Sequence, residues 1–286
     1  MSDQAGWIVP AAQAVATLPH WPQTHSLMPM LGARPLARAL REGGRRRSAP
    51  GADHVTWAAY RRAAAVRIPR LAAALREGTW RPGPLREITI HTYTGKRLAT
   101  VLPTVEDRIV HRAMRTAIEP ILEAYAFADW VSGYRPGRNR LTALRHAMGH
   151  LDQGCTWVAD VDVRQVSTGA DAEEVTGWLA EYVYDGTFLR RFHTAVAGLP
   201  TPLAPGSGLA PLLINLRLAA ADRKLAGLRV VRFTDNYCAF ASNRRSAEQA
   251  YGQITYALGV IGLTPNPGKS RIREAACAED LFLIGG

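Results

Sequence analysis

The sequence has little cysteine and almost no lysine. Cys155, Cys238 and Cys277 stand far apart in a chain of 286 residues. They fit neither a zinc spacing nor a disulfide framework, so a reducing, cytoplasmic setting is expected. No apolar run approaches the ~18 residues that span a bilayer, so no membrane partner is expected. The opening stretch MSDQAGWIVPAAQAVATL carries Asp3 and no Lys or Arg, which removes the charged head of a secretory signal. Only Lys96, Lys224 and Lys269 are lysines among 35 basic residues, a bias of the kind a GC-rich genome produces.

What is present is an ordinary globular balance, 47% hydrophobic and 21% charged, which excludes a wholly disordered chain. The charge is uneven: net +4 over residues 1–50, +8 over 51–150 and −1 over 151–286. A basic first half attracts phosphate backbones through counterion release, the plain alternative being solvated surface.

Residues 29–52, rich in Gly, Pro and Arg, read as a linker or mobile arm. Asp53 is a candidate N-cap for two short helices separated near Pro69, the second ended by Gly78. REITIHTY (86–93) and RLATVLP form a hairpin around residues 94–96. Helical periodicity covers 105–127 with a break near Pro120, then 139–151. TWVADVDV (156–163) is a β-branched strand. Helices are expected over 171–184, 187–197, 209–225 and 246–259. Two strands meet at a tight turn placed at Asp235–Asn236, and a last strand falls near Phe282. The order implies an α+β sheet domain preceded by a separate hairpin-bearing domain.

Two acids stand at strand ends, Asp162 in VADVDV and Asp235 in VVRFTDNYCAF. Paired carboxylates can hold two Mg²⁺ ions for in-line phosphoryl transfer. By pattern alone, two such acids are more often solvated surface.

The ordered motifs say more. GKRLATVLPTVEDRIVHRAM (95–114), FADWVSGYRPGRNRLTAL (127–144), the Asp162 strand, GLPTPLAPGSGLAPLLINLRLAAAD (198–222), VVRFTDNYCAF, LGVIGLTPNPGKSRI (258–272) and FLIGG (282–286) follow one another. In that order they resemble the reverse transcriptases of the group II intron and bacterial retroelement type. The resemblance implies a right-hand polymerase, α+β, with fingers and a palm whose antiparallel sheet carries packed helices. It divides the chain into an N-terminal arm and basic linker (1–52), fingers (53–150) and palm (151–286). No thumb is evident before Gly286: either it is absent, or a protein partner or oligomer replaces it, or the C-terminus is trimmed.

The resemblance implies a primer hydroxyl attacking a nucleoside triphosphate on an RNA or DNA template, with Mg²⁺ or Mn²⁺ as cofactor. Asp162, Asp235 and Lys269 are the expected catalytic residues, with Asn236 and Val163 at the remaining metal positions. Lys96, Arg97, Val166 and Gly206 are expected at the nucleotide, and Arg135 and Arg138 at template phosphates. A structural salt bridge for Arg135 is an equal alternative. Asp107–Arg108 reads as a structural pair and His111 as ordinary surface or core.

Several positions depart from the family pattern. The turn reads Phe233-Thr234-Asp235-Asn236, where the family has two adjacent acids. Val166-Ser167 stands where an aromatic pair is usual, and Val166 would leave room for a ribose hydroxyl. Pro205 replaces a glutamine near the template base, and Thr168 replaces an acid. Asp160 lies on the same strand face as Asp162 and reads as a solvent-facing acid, or as the missing charge. Three functions are therefore open: a polymerase, domesticated for antiphage defence or another host role; a catalytically degenerate nucleic-acid- or partner-binding module; and template-independent nucleotide addition, with a protein as primer.

Overall fold

The computed structural model describes residues 25–45, 48–91, 95, 97–203, 205–277 and 281. It runs α1 (Ala33–Gly43), α2 (Trp57–Arg62), α3 (Ala64–Glu77), β1 (Arg86–His91), β2 (Arg97–Leu102) and α4 (Val105–Tyr125). Then come α5 (Arg140–Leu151), β3 (Trp157–Asp162), α6 (Ala172–Ala180), α7 (Gly186–Ala197) and α8 (Ala210–Lys224). The order ends with β4 (Val230–Phe233), β5 (Asn236–Ala241), α9 (Arg244–Val260) and β6 (Arg271–Glu274). The architecture is α+β.

β1 and β2 form an antiparallel hairpin from Arg86↔Leu102 to His91↔Arg97. The remaining strands form an antiparallel sheet in the order β4-β5-β3-β6. Alternation divides β3 between two cores. Ala159, Val161 and Val163 join Tyr237, Ala239 and residues of α8 and α9, such as Leu212 and Ile254. Val158 joins Cys238, Phe240 and Ala143 and Ala147 of α5. Asp160 and Asp162 share that second face, at its open end.

Capping residues fix the helix starts. Thr104 and Asp107 make a reciprocal capping box at α4, and buried Asp107 also accepts from Gly83 N. Arg108 does not pair with Asp107; it donates to Ser48 and Ala49 and lies over the Trp57 ring.

Several expectations change. The segment read as a linker or mobile arm contains α1, whose Leu36, Ala39 and Leu40 are buried at helical spacing against α4. Pro69 and Pro120 break nothing and lie inside α3 and α4. Both prolines are exposed while Ile68, Leu71, Ile118 and Ile121 beside them are buried. Packing of that apolar stripe outweighs the missing N–H. The two short helices part at Ala63 instead, and the first is capped by Thr56, whose hydroxyl accepts from Ala59 N, and not by Asp53, which lies three residues further upstream. The tight turn is one residue earlier than expected, at Thr234–Asp235, because Phe233 pairs with Asn236. The strand expected near Phe282 and the FLIGG element lie outside the described residues, whereas β6, not expected, pairs with β3.

Candidate active site at the β3 edge and the Thr234–Asp235 turn

The ladder brings the two candidate strands together at their ends. Asp162 closes β3 directly opposite Asn236, the first residue of β5. Directly paired residues on one face hold their Cβ atoms ~5 Å apart. One step on, Val163 N donates to the Asp235 carbonyl at 3.0 Å. Asp162, Val163, Asp235 and Asn236 thus meet at one sheet edge.

The turn has an uncommon conformation. Thr234 has φ +57°, a left-handed value that a β-branched residue rarely adopts. It is held from three sides. Thr234 Oγ1 donates to Asp235 Oδ1 at 2.9 Å. Fully buried Arg232 donates to the Thr234 carbonyl at 2.7 Å and to Asn215 Oδ1 at 2.9 Å. Gly133 packs its backbone on Thr234 so closely that an added Cβ would lie 2.1 Å from the Thr234 nitrogen. Asn215 of α8 completes the ring by donating to the Gly133 carbonyl at 2.7 Å.

Beneath this ring lies a buried ion pair. Arg232 Nε and Nη2 bond the two oxygens of Asp222 at 3.1 and 2.6 Å, and Tyr237 donates to Asp222 at 2.8 Å. Burial opposes the Arg232 charge, but the Asp222 carboxylate outweighs it and holds the pKa above the ordinary value. Burial, with Asp222 beside it, pushes the Tyr237 phenol well up.

Asp162 is 6% exposed and already engaged. Asn266 Nδ2 donates to Oδ1 at 3.0 Å, and Lys269 Nζ lies 3.3 Å from Oδ2. Asn236 Oδ1 is buried without a hydrogen-bond partner. Among the described residues no three His, Cys, Asp or Glu side chains cluster as a metal site. The oxygens of Asp162, Asp235 and Asn236 nonetheless suit a hard divalent cation by donor type, and the orphaned amide oxygen has lone pairs that no protein group uses. Asp160 is neither solvent-facing nor free to add charge: it is 1% exposed, accepts from Arg273 at 2.7 Å and contacts the Cys238 thiol.

The other expected residues scatter. Arg97 is exposed at the start of β2, and Lys96 lies outside the described residues. Gly206 has φ +108°, and its Cα sits against the Val101 carbonyl, where a Cβ would lie 1.9 Å away. Thr100 donates to the adjacent Pro205 carbonyl, so this loop is docked on the hairpin. Val166 is 8% exposed and packs in the core. Arg135 is buried: it forks onto Glu123, donates to the Ala128 and Val131 carbonyls, and lies over Phe127. Arg138 holds the same loop through Asp129 and its carbonyl. Both arginines brace the segment that presents Gly133.

Sequence reasoning missed a second group of arginines. A cavity of about 890 Å³ is lined by Arg108, Arg112 and Arg115 of α4, Arg38 of α1, Tyr134 and Gly206. Tyr134, which lines the cavity, directly follows Gly133, the glycine packed on Thr234, so the cavity adjoins the loop that braces the turn. The signal was in the spacing: positions 108, 112 and 115 share one face of a helix.

Residues 90–278 match the family profile described as Reverse transcriptase (RNA-dependent DNA polymerase). The Group II intron-encoded protein LtrA of Lactococcus lactis subsp. cremoris is 25% identical over 57% of this chain and 29% of its own length. Protein YkfC of Escherichia coli is 29% identical over 62% of this chain and 50% of its own. The chain therefore spans half the length, or less, of these relatives. Among solved structures, a chain of a partial Cas6-RT-Cas1--Cas2 complex is 17% identical with a TM-score of 0.44, over 84% of this chain and 44% of that one. With the profile match spanning well over half of the sequence, the chain belongs to the reverse transcriptase (RNA-dependent DNA polymerase) family.

Proposed function

We propose that the chain is a nucleotidyltransferase that extends a primer hydroxyl with nucleoside triphosphates along a nucleic-acid template. The observation that carries this is the pairing of Asp162 with Asn236 across the β3–β5 ladder, with the Asp235 carbonyl bonded to the neighbouring Val163 nitrogen. Asp162, Asp235, Asn236 Oδ1 and the Val163 backbone are the groups that would hold Mg²⁺ or Mn²⁺. A bound ion there would supply charge neutralisation at the triphosphate. The chain's own residues do the rest. Lys269, 3.3 Å from Asp162 Oδ2, is placed to offset charge developing on a pyrophosphate leaving group. The arginine cavity along α4 is a track for the phosphates of the template strand.

A second reading has its own support. Lys269 and Asn266 already occupy both oxygens of Asp162, as in a site that binds nucleic acid without chemistry. One experiment separates the two. The protein is incubated with labelled nucleotides, Mg²⁺ or Mn²⁺, and primed or unprimed RNA and DNA. Extended products support the transferase. Bound but unextended nucleic acid supports the binding module.

A further inference from the structure

We infer that Arg217 is a positioning residue for the sugar of the incoming nucleotide. The inference rests on the transferase reading and concerns a residue of the 198–222 motif to which no role is assigned above.

The chain after Asp162 is pinned twice and then turns. Val163 N bonds the Asp235 carbonyl and Arg164 N bonds the Thr264 carbonyl at 2.9 Å. Gln165 takes φ +52° and Gly169 φ +70°, so the segment between them is a tight loop. Within it Thr168 bonds back to the Gln165 carbonyl through its nitrogen and its hydroxyl. The Val166 and Thr168 carbonyls are taken by one group from another element. Arg217 Nη1, from α8, donates to them at 2.8 and 2.6 Å. A buried carbonyl without such a donor is costly, so this fork sets where Val166 stands.

Arg217 is an expensive way to fill that space. The residue is 7% exposed, and its Nε is buried without a partner. Burial also lowers its pKa, with Glu174 opposing. A leucine or methionine there would satisfy packing with no desolvation cost. On its other side Arg217 lines a cavity of about 490 Å³ with Trp178 and Tyr182, its guanidinium 5.7 Å from the centre of the Trp178 ring. Fixing Val166 relative to Asp162 is what a sugar-contacting position needs, because how the sugar seats depends on where that side chain stands.

The test uses the full chain and first establishes that the wild type incorporates nucleotides. Arg217→Met and Arg217→Lys are then compared by KM and kcat for paired ribo- and deoxynucleotides, alongside the thermal midpoint. R217M is expected to raise nucleotide KM or shift the ribo-to-deoxy ratio about tenfold, with kcat changed much less. R217K, which keeps the charge and a single donating nitrogen on a shorter stem, should lie between. A lower midpoint with KM and ratio unchanged overturns the inference and leaves Arg217 a purely structural residue. If R217M does not fold, R217K decides by the same ratio. A wild type that binds nucleic acid and incorporates nothing removes the transferase reading itself, and the inference falls with it.

Discussion

Gly133 and Thr234 touch backbone to backbone: a methyl group on Gly133 would stand 2.1 Å from the Thr234 nitrogen. Gly133 belongs to the loop braced by Arg135 and Arg138, and Thr234 to the turn that presents Asp235. Gly133→Ala must therefore displace the turn. Overpacking of this kind costs ~1–3 kcal/mol, and nucleotidyl transfer should be lost out of proportion to the stability change. Gly149→Ala is the control, since nothing lies within 4 Å of an added Cβ on that helical glycine. It should stabilise the fold by ~0.5–1 kcal/mol with transfer unchanged, as read by chemical denaturation and primer extension.

Asp235→Ala should reduce transfer to below about a thousandth of the wild-type rate while leaving the circular dichroism and melting curve close to wild type. The converse change, Asn236→Asp, restores a charge at the orphaned Oδ1 and should raise activity in Mg²⁺ more than in Mn²⁺. Equal rates of N236D and wild type in Mg²⁺ would show that charge at this position is not what limits the site.

Asp222→Ala should be among the most damaging single changes, by ~3–5 kcal/mol, because it strands the fully buried Arg232 charge. Tyr237→Phe removes only the hydroxyl that donates to Asp222 and should cost nearer ~1 kcal/mol. Urea midpoints of the two variants would check the order.

His111 is buried near Ala195 of α7, and burial pushes its pKa down to about 4 from 6.5. The folded state therefore binds fewer protons than the unfolded state in this window, so stability falls as pH falls from 6.5 towards 4. The loss is ~3 kcal/mol. His111→Leu should flatten that part of the pH–stability curve. An unchanged slope in urea denaturation at pH 7, 5.5 and 4.5 would remove His111 as its source.

Nucleic-acid binding should run through the α4 cavity. Arg112 and Arg115 are partly exposed there, each beside a glutamate, Glu42 and Glu119. Replacing both by glutamine should lower the slope of log affinity against log salt by about 1.5 on single strands. Fluorescence anisotropy from ~50 to ~200 mM salt would measure it, and an unchanged slope would place the phosphates elsewhere.

What the sequence made legible were features carried by local pattern. The hairpin, the β3 strand with Asp162, the Gly78 stop and the long helices needed only alternation, 3.6-residue periodicity and turn residues. What it hid depended on tertiary partners. Whether Pro69 and Pro120 break a helix is decided by what the neighbouring leucines and isoleucines pack against. β6, Arg-Ile-Arg-Glu, has the composition of a loop and becomes a strand only because β3 offers an edge. Arg135 stands open in the sequence between a phosphate contact and a structural salt bridge, and only the fold supplies its partner Glu123, twelve residues away at no recognisable spacing. The site was legible through ordered motifs, but the orphaned Asn236 oxygen and the Arg217 clamp exist only in three dimensions.

The shape of the Thr234–Asp235 turn is set by Arg232, Asn215 and Gly133, all protein groups, and by no side chain of the acids themselves beyond one hydroxyl bond. Form and charge at this site are therefore separately heritable. A lineage can exchange an acid for an amide at position 236 without unmaking the turn, and a later reversal finds the geometry intact. Such a scaffold can gain or lose charge at its tip by single substitutions.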